Sequence, residues 1–580
     1  MWDAAGISAL THGWTGVAVA YGTVQLPMLA GLRHGRAAAG RWLRSPLVAG
    51  PATLAAGAGM TLLGATIDSL GIAGGAWLRA AAGVGLSAAI GYLAGRAYAR
   101  AGGHPPIHQR GALVHESGPS RGLHGSRGHD RARGAEYAPV TLGGIAVAAQ
   151  DEAKHFKLIG TTGTGKTTAI RELLGGALAR GDRAIIADPD GGYMSRFHDR
   201  GRGDVVLNPF EHASVKWDLF GEIRRPYDVD QLARSLIPDA GPSDRSWTGY
   251  ARTFFTAVTR QAHAAGVRDV GELYRLLVVA RPAELRTLVA GTPAQPFLDE
   301  QNVRMFDSIR SVTSSAVGAL EFVAHQRGSE FSIRDWVRDG GQHDRPSGAE
   351  SAQRPSGVLF MPYRAGQIAA LRSSVSAWLR IGIFEAMDQP EGDQRLWFVV
   401  DELDALGPID GLKDALVRLR KFGGRCVLGF QSIAQVSSTY GNGDAQTIVE
   451  NCGNTLVLRS SGSEHGGTSQ FASRLIGQRE VMRTTVSKSR RPAGLLATTT
   501  HSEHVHIEPA VLDAEIEQLP DREGYLKFAS VPAWHRVRLP GDRLAMGPRR
   551  LVGSAQPDEL QARRAATLTT VSTRAAELER

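Results

Sequence analysis

The stretch GTTGTGKT, Gly160 to Thr167, constrains this chain more than any other. It follows the apolar run Phe156-Lys157-Leu158-Ile159, which reads as a short buried strand. It precedes Thr168-Ala169-Ile170-Arg171-Glu172-Leu173-Leu174, which reads as a helix. Strand, glycine-rich loop and helix form the setting in which backbone amides cradle phosphate beside the positive end of a helix. Gly160, Gly163 and Gly165 allow backbone angles closed to other residues. Thr161, Thr162, Thr164 and Thr168 complete the expected cradle. Lys166 would reach terminal phosphates, and the Thr167 hydroxyl would take one position on Mg²⁺.

A second strand, Arg183 to Ala187, ends in Asp188-Pro189-Asp190-Gly191-Gly192, and Val205-Val206-Leu207 is a third. Strands alternating with helices indicate a mostly parallel sheet with helices on both faces. From about Pro226 to Asp335 the spacing turns helical, as in Phe306-x-x-Ile309-x-x-Val312, which indicates an inserted all-α domain. Residues 339–356 read as a polar loop, and the sheet resumes at Val358-Leu359-Phe360-Met361.

The run Leu396-Trp397-Phe398-Val399-Val400 ends in Asp401-Glu402. Ligands of open parallel sheets bind at the carboxyl ends of the strands. Two carboxylates are thus delivered toward the phosphate loop. Transfer of a phosphoryl group to water needs a held metal ion, an oriented water and compensation of developing charge. Asp401 with Thr167 suits the metal, Glu402 the general base, and Lys166 the charge. The helix Leu412 to Phe422 ends at Gly423-Gly424, and the strand Cys426 to Phe430 delivers Gln431, an amide placed to sense the terminal phosphate or the water. Arg418, Arg420, Lys421 and Arg425 form a basic cluster, either a solvated face or an arginine acting on a neighbouring subunit's nucleotide.

The formal net charge is +9, unevenly placed. Residues 1–150 hold twelve Arg, no Lys and five Asp or Glu, so +7 sits there and the remainder is nearly neutral. Residues 13–32 and 46–67 carry no charge, and 71–95 carry only Arg79. Runs of this length can cross a bilayer; Gln25 and Pro27 weaken the first. Arg33, Arg36, Arg41 and Arg44 before the second run, and Arg96, Arg100 and Arg110 after the third, place both flanks in the cytoplasm. Residues 101–136 are rich in Gly, His, Arg and Ser and read as a flexible basic linker. Its histidines lack tight ligand spacing. Two cysteines, Cys426 and Cys452, exclude a disulfide framework and a cysteine-rich zinc site.

The segments GTTGTGKTT, LWFVVDELDALGPIDGLKDALVRLRKFGG, VLGFQSIAQ and NTLVLRS together resemble TraD-type coupling proteins of conjugative type IV secretion systems. ARSLIPD, SVTSSAVGAL and FSIRDWV resemble that family's all-α domain. The resemblance covers about 137–538. It implies an α/β RecA-like P-loop core with a parallel-rich sheet, an inserted all-α domain and N-terminal transmembrane helices. The implied organisation is a membrane anchor (1–100), the linker (101–136), a nucleotide-binding domain in two parts (137–225 and 336–538), the all-α domain (226–335) and a tail (539–580). It further implies a multi-pass protein of the bacterial inner membrane, its ATPase domain cytoplasmic, assembled as a homo-hexamer. ATP and Mg²⁺ are the implied cofactors. The implied partners are relaxase-bound single-stranded DNA, relaxosome accessory proteins and inner-membrane components of the secretion channel. Lys166, Asp401, Glu402 and Gln431 take the family's catalytic positions, and Arg420 takes the arginine-finger position. An ATP-gated docking platform and an FtsK-like double-stranded DNA translocase are the competing readings. Two departures stand out: the segment between spans is almost absent, and the tail, with Arg549, Arg550, Arg563 and Arg564, shows no acidic docking sequence.

Overall fold

The structure, a computed structural model, describes residues 14–35, 37, 39–69, 75–100, 107–116, 139–238, 245–340, 357–392, 394–463, 466–489 and 498–541. The tail beyond 541 and most of the polar loop at 339–356 lie outside these. The chain divides into two compact units, 1–111 with 479–508 and 112–478 with 509–580.

The first unit contains three helices, α1 (Trp14–His34), α2 (Ala39–Ser69) and α3 (Gly75–Arg100). Segments Gly40–Leu63 and Leu78–Ala99, with mean hydropathy 1.4 and 1.3, are long and apolar enough to cross a membrane. α1 packs on α3 through glycine. A Cβ on Gly91 would lie 2.2 Å from the Val24 carbonyl oxygen, and one on Gly95 would lie 2.1 Å from that of Met28. From the other side, a Cβ on Gly31 would lie 2.3 Å from the Tyr92 carbonyl oxygen. Gly91-x-x-x-Gly95 therefore seats Val24 and Met28 of α1, and Gly31-x-x-x-Gly35 seats Tyr92 and Ala99 of α3, a small-residue arrangement that lets apolar helices approach closely. Val24, Met28 and Leu32 fill the i, i+4, i+8 stripe beside it and are fully buried. Gln25 donates to the Ser45 hydroxyl (2.9 Å), and the Arg41 guanidinium caps the end of α3 at the Tyr98 and Ala99 carbonyls.

The same unit contains a three-stranded sheet in which Ile107–Gly111 pairs antiparallel with Gln478–Ser489, and that strand pairs with Thr498–Pro509. The expected flexible linker is thus structured at 107–115. Its Ile107 and Leu113-Val114 are masked in the sequence by surrounding Gly, His and Arg. Residues 479–508, read from sequence as part of the nucleotide-binding domain, belong to this unit instead.

The second unit is built on a ten-stranded sheet. Its strands are β1 (Leu113–His115), β2 (Phe156–Ile159), β3 (Arg183–Pro189), β4 (Val205–Val206), β5 (Val358–Tyr363), β6 (Leu396–Val400), β7 (Gly424–Phe430), β8 (Asn454–Leu458), β9 (Glu523–Lys527) and β10 (Ala533–Arg538). Their order is β1-β10-β9-β8-β2-β7-β6-β3-β5-β4. From β8 to β4 every pairing is parallel; β9 is antiparallel to both neighbours. The central strands are buried along their length, as near-continuous apolar runs require when both faces are covered. Alternation divides them between two cores. Ala184, Ile186, Trp397 and Val399 pack with Ile170 and Leu173 of the helix α4 (Lys166–Ala179). Ile185, Ala187, Phe398 and Val400 pack with Val375 and Leu379 of the helix α5 (Ile368–Asp388).

Among the described residues, the insertion is helical from Asp228–Leu236 to Ile333–Arg338, with one strand near its end. Glu330–Phe331 forms a two-residue parallel pairing with Lys216–Trp217 that closes its base. The buried Glu222 carboxylate fixes this closure, accepting from the Trp217 indole (3.1 Å) and the Ile333 amide (2.7 Å). Arg334, also buried, bridges Asp228 (3.1 Å) and Glu385 of α5 (3.0 Å), tying the insertion to the sheet's helical layer.

Gly95→Ile is expected to destabilise the helical unit by about 1–3 kcal/mol through overpacking, read as faster proteolysis of α1–α3 in detergent. Gly85→Ile is the control, because a Cβ there meets nothing within 4 Å.

Candidate nucleotide site

β2 delivers the chain to Gly160, whose amide donates to Phe430 O of β7 (3.1 Å). Gly163 (φ +77°) and Gly165 (φ +119°) turn the loop into α4 through left-handed backbone that a side chain would strain. Thr161 is anchored outward on the Arg459 carbonyl, and the Thr164 hydroxyl donates to Thr161 O (2.8 Å). Gly160, Thr161 and Thr164 therefore shape the loop. Thr162, Gly163, Gly165, Lys166, Thr167 and Thr168 line a cavity of about 430 Å³.

The strand tips bring the acidic side of the site to this cavity. Asp401 and Glu402 follow β6, and Gln431 follows β7; all three line it. The Thr167 hydroxyl donates to Asp401 Oδ2 (2.8 Å). Gln431 Nε2 donates to Glu402 Oε1, and its Oε1 accepts from the Thr162 hydroxyl (3.1 Å). Lys166 is buried and its ammonium donates to Gly160 O (2.6 Å). Burial lowers its pKa, opposed by the charges of Asp401 and Glu402. Burial, then Asp404 and Asp401, raise that of Glu402. A carboxylate raised in this way takes up a proton more readily than a free one.

Tyr193 escaped the sequence reading. Its hydroxyl donates to Asp401 Oδ2 (2.8 Å), the oxygen that Thr167 also binds. It is placed by Asp188 at the end of β3, which accepts the Tyr193 (2.9 Å) and Met194 (2.7 Å) amides. Burial, with Asp401 adding repulsion, pushes the Asp188 pKa to about 7. The DPDGG stretch that reads as a strand-end turn is the only signal for this arrangement in the sequence.

Arg420 lies at the other end of the sheet. It is exposed on the turn Leu419–Phe422, just before β7 begins. A seven-residue strand separates it from Gln431, about 20 Å at ~3.3 Å per residue. Arg420 lines a separate cavity of about 230 Å³ with Arg180, Arg395 and Arg425. Arg425, grouped by sequence with an exposed face, is instead buried. Its guanidinium donates to Glu152 (3.1 Å) and to the Gly423 carbonyl (2.6 Å) that closes the Arg420 turn. Arg180 chelates the same Glu152 carboxylate through two 2.8 Å bonds.

A phosphate-cradling loop facing an Asp-Glu strand tip across a parallel sheet, with a helical insertion between, defines a P-loop nucleotide-binding core. The chain belongs to the family of type IV secretion-system coupling proteins: residues 139–540 match the family model described as the type IV secretion-system coupling protein DNA-binding domain. It is similar to the coupling protein TraD of Escherichia coli (strain K12), 29% identical over 390 residues, or 67% of this chain and 52% of TraD. The chain thus spans about half the length of that relative. It is also similar to solved structures of the plasmid coupling protein TrwB. The complex with ADP and Mg²⁺ is 28% identical with TM-score 0.63, covering 78% of this chain and 98% of the solved chain. The complex with the ATP analogue ADPNP gives 28%, 0.62, 77% and 98%.

His155 supplies a pH test. It is buried just before β2; its Nδ1 accepts the Cys426 amide (3.0 Å), so Nε2–H donates to Leu416 O (2.9 Å). Burial foremost, with Arg420 and Arg425 adding, lowers its pKa to about 4. The folded state therefore disfavours the proton. Its contribution is fully present above about pH 6.5 and is lost as pH falls toward 4, about 3 kcal/mol in all. The protection factor of the Cys426 amide, taken relative to its intrinsic exchange rate at each pH, is expected to fall over that window, and the fall should be absent in His155→Gln.

Proposed function

We propose that this chain is a membrane-anchored ATPase that receives relaxase-bound single-stranded DNA and drives it toward a type IV secretion channel. The carrying observation is the Thr167–Asp401–Glu402–Gln431 constellation at the mouth of the phosphate loop. A hydroxyl and a carboxylate oxygen 2.8 Å apart are the hard-oxygen donors that Mg²⁺ prefers, beside a buried lysine and a cavity of about 430 Å³. The TrwB complexes with ADP and Mg²⁺ and with ADPNP support ATP and Mg²⁺ as the cofactors here. When bound, they supply the phosphoryl group and the charge that polarises it.

The chain's own residues divide the remaining work. The amides of Thr162, Gly163 and residues 165–168, which line the cavity, would bind phosphate oxygens, and Lys166 would meet charge that develops on them. Thr167 and Asp401 hold the ion, with the Tyr193 hydroxyl orienting the carboxylate. Glu402 orients a water and takes its proton. Gln431 fixes the Glu402 rotamer and couples it to the loop through Thr162. Arg420 faces away from its own site, so it acts on the nucleotide of the next subunit. That role requires a ring, and the family resemblance points to a hexamer. The helices α2 and α3 anchor the assembly in the inner membrane, with the ATPase core on the cytoplasmic side and the secretion system's membrane components as partners.

Lys166→Ala and Glu402→Gln are each expected to lower ATP turnover 10²- to 10⁴-fold, with ATP binding kept in Glu402→Gln, and to abolish DNA transfer in cells. Full transfer with either variant would show that another ATPase moves the DNA and that this chain is a docking platform. Mixing Lys166→Ala with Arg420→Ala subunits should recover turnover at interfaces that pair an intact lysine with an intact arginine; no recovery would refute the trans assignment. Stimulation by double-stranded DNA alone would favour the double-strand translocase.

A further inference from the structure

We infer that Arg380 is a positioning residue for turnover: it ties the loop that follows Glu402 to the first helix of the insertion, so that the two move together. This rests on the ATPase reading above and names a route by which the insertion regulates that site. Arg380 lies on α5 and is buried. Its guanidinium is shared between two elements. Nε donates to the Asp410 carbonyl (3.2 Å) and faces the Asp410 carboxylate at 3.2 Å. Nη1 donates to the Gln231 carbonyl and to the Ser235 hydroxyl, both at 3.2 Å. Gln231 and Ser235 belong to the Asp228–Leu236 helix, which opens the insertion. Beneath the guanidinium lies the Phe384 ring, at 4.3 Å. The same ring closes on the loop: a Cβ on Gly411, beside Asp410, would lie 2.8 Å from Phe384 Cζ.

The Asp410 side of this bridge leads back to the chemistry. Residues 403–411 join the Asp401-Glu402 strand tip to the helix Leu412–Arg418. The Leu403 amide donates to Gly429 O (3.1 Å). The turn Asp404–Leu406 follows, and its last carbonyl accepts from the Ser376 hydroxyl (2.7 Å). Ser376 and Arg380 are four residues apart on α5, so one face of that helix holds the loop at both Leu406 and Asp410. Tyr440, on the helix that follows Gln431, accepts the Ile409 amide (3.2 Å) and donates to Gly407 O (3.4 Å). The loop is anchored along its length, and a shift at Glu402 is carried to Asp410 with little slack.

The insertion side is equally committed. The Gln231 side chain accepts from Arg334 (3.3 Å), the residue that bridges Asp228 and Glu385. A buried charge is costly when it is short of partners. Among the described residues, Asp410 is the carboxylate that pairs with Arg380, and the nearby Arg234 and Arg334 repel it. Pulling away either the loop or the helix strips partners from a guanidinium that bulk water does not reach. Moving together costs less than breaking the bridge. Linkage makes the effect reciprocal: a change in the loop displaces the helix, and a displaced helix shifts the loop that carries Glu402.

The test uses the full chain in detergent micelles, with ATP turnover and amide hydrogen exchange as readouts. Arg380→Gln should lower kcat roughly 2- to 30-fold with KM for ATP unchanged. Arg380→Lys, which keeps the charge beside Asp410, should restore part of the loss. Ser235→Ala should lower kcat in the same direction and add nothing in the Arg380→Gln background. In the wild type, saturating ADPNP should change exchange both in residues 403–411 and in the Asp228–Leu236 helix. In Arg380→Gln the helix response should vanish while the loop response stays. Wild-type kcat in both Arg380→Gln and Ser235→Ala overturns the inference. So does a helix response to ADPNP that survives Arg380→Gln, because Arg380 then only supports the core. Where Arg380→Gln does not fold, Ser235→Ala, which removes one bond and no charge, decides by the same exchange comparison. A chain that binds ADPNP and hydrolyses no ATP defeats the ATPase reading alone; the exchange comparison still decides the coupling.

Discussion

One carboxylate oxygen, Asp401 Oδ2, joins the parts of this site. It accepts from Thr167 at the start of α4 and from Tyr193 after β3. Those hydroxyls lie on either side of β6 in the sheet, and only the strand order β2-β7-β6-β3 brings them to one atom. The order in turn needs a close approach at the tips. A Cβ on Gly429 of β7 would lie 2.0 Å from the Asp401 carbonyl oxygen. With glycine there, the Leu403 amide reaches Gly429 O (3.1 Å), and Gln431 is set beside Glu402. Asp401 and the Glu402–Gln431 pair thus share one backbone contact.

The opposite end of the sheet is organised by a different carboxylate. Glu152 is buried with two guanidinium groups on it, and Asp182 adds a partner to Arg180 while accepting the Trp397 indole (2.9 Å). Buried charge is costly unless paired and hydrogen-bonded throughout. Here the pairing has a product: Arg425, pinned by Glu152, holds the Gly423 carbonyl and hence the turn that presents Arg420. His155 supports the preceding helix from beneath, at Leu416. An arginine on a rigid turn, pointing away from its own nucleotide loop, is what the proposed ring needs.

The phosphate loop, the Asp-Glu strand tip and the helical insertion were legible because each is a local pattern with one physical reading: glycine spacing, an apolar run ending in carboxylates, a change of period. Tyr193 was not, since its hydroxyl meets Asp401 only through strand pairing across 208 residues of sequence. Arg425 was misjudged for a related reason. In a run of basic residues it looks solvated, and its burial depends on Glu152, 273 residues away. Apolar periodicity fixes which face of an element is buried; it is silent on which buried polar groups find each other. The strands at 107–115 were hidden by composition, because two or three apolar residues among glycine and histidine carry no period.

Those strands change what lies in the chain between the apolar helices and the ten-stranded sheet. A flexible linker would join them at one point. The chain instead passes between the two units at 111/112, 478/479 and 508/509. At the first crossing, Ile107–Gly111 is hydrogen-bonded into the three-stranded sheet, and Leu113–His115 is the edge strand of the ten-stranded one. Only Ala112 separates them, and its amide is bonded to Gln478 O (2.8 Å) at the second crossing. A Gly/Ser-type tether owes its slack to unpaired backbone; these strands are paired, each within its own sheet. Residues 107–111 and 113–115 are therefore committed to strand pairing, and a composition rich in Gly and His does not by itself make a stretch a tether.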